Sequence, residues 1–159
     1  MNINEKAIEM FEQNEYEKAM ELFHQAVQES RGVQSLNNLA WMYFYEEENV
    51  DKALELIKEV IKLNPSSYFP YNILGDIYLK QEKWAEAKEV LQNSISIQPS
   101  DEAYHNVAVA NYNLGELEEA SEFFLRVAGD SDYIMYNYVK CLIDLGRTTE
   151  AKEKLDAFN

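Results

Sequence analysis

The groups in this sequence able to do acid–base, nucleophilic or metal chemistry are two histidines, one cysteine and 29 carboxylates. A nucleophilic site needs a base within hydrogen-bond reach of a hydroxyl or thiol. Neither His24 nor His105 has a serine or cysteine at a spacing that would make such a pair. Cys141 stands three residues after Tyr138 and four before Leu145. That is the spacing of one helical face, and it marks a packing thiol rather than a reactive one. One cysteine forms no internal disulfide, and with His24 and His105 it makes no recognisable zinc motif. There is no glycine-rich phosphate loop. Adjacent acids such as Glu118 and Glu119 are ordinarily solvated or ion-paired on a helix surface. The expectation is therefore a protein with no catalytic residues, metal or cofactor, whose function lies in a surface that its elements build.

The charge narrows what that surface meets. Acidic residues outnumber basic ones by 29 to 14, giving a formal net charge of -15. Such a chain repels nucleic-acid phosphates and anionic membranes, and no apolar run is long enough to cross a bilayer. Neither nucleic acid nor membrane insertion is expected. The lone cysteine and the absence of a basic-then-apolar start point to the cytoplasm. Five glycines and three prolines leave little for sheets and long linkers, which favours helices with short connections. The acids solubilise such helices and also attract a basic partner.

An internal period organises the chain. Ala19, Ala53, Ala87, Ala120 and Ala151 each follow a charged or polar residue, at spacings of 34, 34, 33 and 31 residues. Four residues after each alanine comes an apolar residue: Phe23, Ile57, Leu91, Phe124 and Leu155. Twelve or thirteen residues before each alanine lies another small or modest residue: Ala7, Ala40, Gly75, Ala108 and Val139. Helical spacing within each half and a fixed offset between halves predict two helices per repeat. Helix axes that approach to roughly 8–10 Å need small side chains at the crossing and large ones beside it. The alternation of Ala or Gly with Leu, Phe and Tyr meets that need.

Repeat three carries Tyr71, Leu74, Gly75, Tyr78, Ala87, Leu91 and Pro99, and repeat two carries Leu39, Ala40, Tyr43, Ala53, Ile57, Val60 and Pro65. This order resembles the tetratricopeptide repeat. Departures are Ser94 where a second alanine is usual, Asn111 where tyrosine is expected, Lys6 for leucine in the first repeat, and Val139 and Thr148 in the fifth. Repeat two has one extra residue, expected in the acidic turn Glu46, Glu47, Glu48. The resemblance implies an all-α fold, a right-handed alpha-alpha superhelix of about ten antiparallel helices. It would form a single array with repeats at about 1–33, 34–67, 68–100, 101–131 and 132–159. The expected helices are 3–13, 15–29, 34–47, 50–63, 67–81, 84–97, 100–114, 117–128, 131–145 and 148–157.

In that family the first helices line a concave groove. The resemblance then places Asn38, Trp41, Phe44 and Tyr45 of repeat two and Asn72 and Asp76 of repeat three in it. Asn106, Tyr112, Asn137 and Lys140 follow from repeats four and five. Asn38, Asn106 and Asn137 share one repeat position, where an amide either engages an extended ligand or braces neighbouring helices. The aromatic cluster Trp41, Phe44, Tyr45 either anchors apolar side chains or packs between repeats. The lysine, asparagine and arginine clamp by which some relatives hold a C-terminal carboxylate is not reproduced, since its places hold residues such as Ile8, Asn38 and Phe69. The expected partner is a protein or peptide segment, neutral to basic and partly apolar. A self-associating solenoid and a non-catalytic subunit of an enzyme complex are the alternatives.

Overall fold

A computed structural model describes residues 1–158, and over these it contains ten α-helices and no strand. They are α1 Ile3–Glu12, α2 Tyr16–Glu29, α3 Val33–Trp41, α4 Val50–Lys62, α5 Phe69–Lys80, α6 Trp84–Ile97, α7 Asp101–Asn113, α8 Leu117–Val127, α9 Asp132–Asp144 and α10 Thr148–Phe158. Their ends lie close to those the sequence predicts because local signals set them. Asn49 Oδ1 accepts from Lys52 N at the start of α4, and Ser100 and Ser131 hydroxyls do the same for α7 and α9, each satisfying an otherwise unpaired helical N–H. Asn64 and Pro65 follow α4, and Gln98 and Pro99 follow α6, where proline cannot continue the hydrogen-bond ladder.

The period is also written in the backbone. Asn14, Glu48, Glu82, Gly115 and Gly146, one in each turn between paired helices, have φ of 65, 52, 58, 80 and 79°. Each lets the chain reverse within about three residues. Glycine takes the left-handed conformation freely, whereas a side chain there costs about 1–2 kcal/mol. Exposed Glu82 is therefore strained where Gly115 and Gly146 are not. The variant Glu82→Gly is expected to gain up to about 1 kcal/mol, read as a higher melting temperature.

The extra residue of repeat two is not in the acidic turn. It is absorbed inside the helix, where α3 continues as a π-turn, Met42–Glu46. Glu47 N bonds to Met42 O at 3.0 Å and Asn49 N to Tyr43 O at 2.7 Å. A single added residue widens a helical turn from four to five peptide steps, and the turn that follows keeps the form seen in the other repeats.

Contacts gather into two compact units, Met1–Ile77 and from Tyr78 onward. In the first, α1 packs on α2, α2 on α3 and α3 on α4. In the second, the same holds for α6 with α7, α7 with α8, α8 with α9 and α9 with α10. The periodic alanines Ala19, Ala53, Ala87 and Ala120 have no solvent exposure, and Ala151 has 2%, as helix crossings require. The second unit's core joins Phe124, Tyr138, Cys141 and Leu142 around Ala108 and Ala120.

Candidate functional site

In the first unit, Ile8 and Phe11 of α1, Asn37, Asn38 and Trp41 of α3 and Phe69 of α5 surround a cavity of ≈ 400 Å³. Glu12 is the charged residue in its lining. Trp41 stands edge-on to Phe11 with ring centroids 5.2 Å apart, and the Tyr45 ring centroid is also 5.2 Å from that of Trp41. Phe44 meets Tyr45 at 4.8 Å, and the Tyr45 hydroxyl donates to the Asp76 carboxylate. The π-turn carries Phe44 and Tyr45, so the extra residue sets where this aromatic wall stands. Asn38 Nδ2 donates to Asn4 Oδ1 at 3.2 Å, tying α3 to α1. Asn37 Oδ1 is buried and has no hydrogen-bond partner among the described residues.

In the second unit a smaller groove, ≈ 200 Å³, is lined by Val109, Tyr112 and Asn113 of α7 and Tyr133, Asn137 and Lys140 of α9. The Lys140 ammonium sits over the Tyr112 ring, 5.2 Å from its centroid. The Tyr112 hydroxyl donates to Asp144, and that bond pushes its pKa up to about 12. Next to the groove, His105 Nε2 lies 3.2 Å from Asn137 Nδ2 and its Nδ1 lies 3.3 Å from Asn106 Oδ1. One neutral tautomer satisfies both contacts: Nε2 accepts from the Asn137 amide and Nδ1–H donates to Asn106.

Burial, partly offset by the Asn106 bond, holds the His105 pKa below its ordinary value. The folded chain thus binds the proton less tightly than the unfolded chain. The resulting stability is complete above the unfolded pKa of about 6.5 and is lost as the pH falls below it. The melting temperature is expected to drop as the pH is lowered below about 6.5, and His105→Gln should show a shallower drop over the same range.

The other chemistry-bearing groups are occupied in structure. Cys141 is fully buried, its thiol donates to Leu117 O at 3.3 Å, and burial pushes its pKa up to about 11. Very little thiolate exists at neutral pH under those conditions. His24 Nε2 lies 3.0 Å from the Tyr43 hydroxyl, and Lys52 sits over the Tyr43 ring. Arg31 forms a two-pronged ion pair with Glu59 at 2.7 and 2.6 Å. No cluster of three or more metal-ligating side chains occurs among the described residues.

Of the groove residues named from the sequence, Asn38 and Trp41 line the first cavity and Tyr112, Asn137 and Lys140 the second. Tyr45 packs on Trp41, Phe44 packs on Tyr45, Asp76 accepts from the Tyr45 hydroxyl, and Asn106 Oδ1 lies within hydrogen-bond reach of His105. Asn72 is only 7% exposed on α5. Ile8 and Phe69, which stand at the clamp places, line the first cavity, and Tyr133, not expected from the resemblance, lines the second. Phe69 and Tyr133 each lie five residues before the leucine-type positions Leu74 and Tyr138. They also lie three residues before Asn72 and four before Asn137, one helical turn upstream of those groove residues, so extending the groove positions by a turn reaches both.

Three family models, each for the tetratricopeptide repeat, match residues 4–68, 44–110 and 102–128. No curated protein sequence matches the chain. Among solved structures, a mutant of MamA is 21% identical with a TM-score of 0.81, over 99% of this chain and 95% of that one. A crystal structure of MamA is 19% identical with a TM-score of 0.83, covering 98% and 92%. A thermophilic TPR protein of Thermus thermophilus is 19% identical with a TM-score of 0.71, covering 98% and 88%. At such identities the likeness is one of fold.

Proposed function

Because the chain belongs to the tetratricopeptide repeat family, whose members are protein-interaction scaffolds, we propose that it binds a neutral-to-basic, partly apolar protein segment along its first helices. The observation that carries this reading is the first unit's groove. Ile8, Phe11, Trp41 and Phe69 line it, and Glu12 supplies the charge in its lining. Apolar surface gathered in a concave site supplies affinity on burial, and a net charge of -15 steers a basic segment toward it. The five repeats act as one array in this reading, which is non-catalytic and cytoplasmic.

The test is a photo-crosslinking residue placed in turn at Ile8 and at Tyr133, with capture from the native host and mass spectrometry of the adduct. A segment rich in apolar and basic residues is expected. Its affinity should fall as salt is raised, because screening weakens attraction between exposed charges. A strongly acidic segment, or affinity that rises with salt, would overturn the proposed charge preference. A second copy of this chain as the sole crosslinked product, with light scattering showing a concentration-dependent oligomer, would replace the reading with self-association.

A further inference from the structure

Away from the first-helix groove, the second helices α2 and α4 flank a cleft of ≈ 290 Å³ that shares no lining residue with it. Val27 of α2, Leu39 of α3 and Leu56 of α4 give this cleft its apolar lining. Three polar side chains of the same lining meet one another. The Tyr43 hydroxyl lies 3.0 Å from His24 Nε2, and the Lys52 ammonium sits 5.2 Å from the Tyr43 ring centroid. Tyr43 belongs to the π-turn, where Asn49 N bonds to its carbonyl oxygen, and such widened turns recur at functional sites.

These contacts fix the groups in place and leave donors to spare. Lys52 forms no ion pair among the described residues, in a chain whose acids outnumber its bases by 29 to 14. Its contact with Tyr43 is to the ring, and an ammonium carries three N–H donors. When His24 Nε2–H donates to the Tyr43 oxygen, the hydroxyl proton is free for another acceptor. Arg31, the other cation of the lining, is committed to Glu59 at 2.7 and 2.6 Å. An ammonium and a hydroxyl beside one apolar surface suit an acceptor that carries negative charge on an apolar body.

Size and charge narrow the ligand further. The volume sits at the small end of the roughly 300–1,000 Å³ of pockets that enclose a small molecule. A net charge of -15 repels a polyacidic segment at long range, and Glu55 in the lining adds to that repulsion at close range. A single carboxylate against Lys52 meets the least of it.

We propose that this cleft binds a small monocarboxylate with an apolar body, its carboxylate accepting from the Lys52 ammonium and the Tyr43 hydroxyl and its body lying on Val27, Leu39 and Leu56. The site is independent of segment binding on the first helices.

The test uses the full chain, labelled with nitrogen-15, at neutral pH and constant ionic strength, with hexanoate, acetate, hexanol and inorganic phosphate as separate ligands. The His24 imidazole and the Lys52 amide signals are followed by NMR. Hexanoate is expected to shift both saturably, with half-saturation at least roughly tenfold below that of acetate, which lacks the apolar body. Hexanol, which lacks the charge, should be weaker by about the same factor. Lys52→Met should weaken hexanoate about tenfold and Tyr43→Phe several-fold, both leaving hexanol unchanged. Lys58→Met makes the same change in net charge on α4 outside the cleft and should leave hexanoate binding as it was. Signals that stay unmoved up to the solubility limit of hexanoate, or an equal response to acetate or hexanol, would overturn the proposal. So would phosphate binding as tightly as hexanoate, or a loss in Lys58→Met equal to that in Lys52→Met.

Discussion

Truncating Phe124 to alanine is expected to destabilise the protein by about 3–5 kcal/mol, the range for aromatic-to-alanine changes in a packed core. Phe124 is 2% exposed and belongs to the cluster formed by α7, α8 and α9. Its neighbours there include Ala108 and Ala120, which have no side-chain length with which to fill the space left behind. The His105 ring, 5.8 Å from Phe124, is held by Asn106 and Asn137 and is not free to swing inward. The cavity therefore stays open, and the cost belongs in the upper part of that range. Chemical denaturation of the variant measures it; a loss below about 1.5 kcal/mol, the scale of a volume-conserving swap, would show that the core can collapse around the site.

A gain is expected from Asn111→Leu. Asn111 has no solvent exposure, and both of its amide atoms lack hydrogen-bond partners among the described residues. It occupies the place where the repeat pattern calls for tyrosine. Each unsatisfied polar atom in a dry interior is costly, and burying an unpaired amide costs about 1–3 kcal/mol in protein contexts. Leucine has the same branching, puts methyl groups where the amide oxygen and nitrogen stand, and removes that cost. The expected stabilisation is about 1–3 kcal/mol, which at roughly 2–4 °C per kcal/mol for a chain of this size is a readily measured rise in Tm. A fall in Tm would show that the amide has a partner that leucine cannot replace.

The fold was legible because its determinants are local and repeated. Alanines at 34-, 34-, 33- and 31-residue spacings have one packing role, and the structure buries all five of them. The site was legible only in part, for three physical reasons. An extra residue leaves the same trace in a sequence whether it lengthens a turn or widens a helix, so the π-turn at Met42–Glu46 could not be placed from spacing alone. Asparagine at a shared repeat position does not declare its partner. Asn38 and Asn137 bond Asn4 and His105 and also line the two grooves. Finally, Phe69 and Tyr133 sit in the first turns of α5 and α9, one turn upstream of the groove places that the repeat resemblance marks.

We propose that a protein segment docks on first helices, at the Trp41 groove of the first unit and the Lys140 groove of the second. Hydrogen-exchange footprinting of the complex purified with its crosslink-identified partner tests it most directly. Added protection is predicted in α1 and α3 and in α7 and α9, diminishing together as salt is raised. Protection confined to α2, α4, α6 and α8, with exchange in the first helices unchanged, would contradict it.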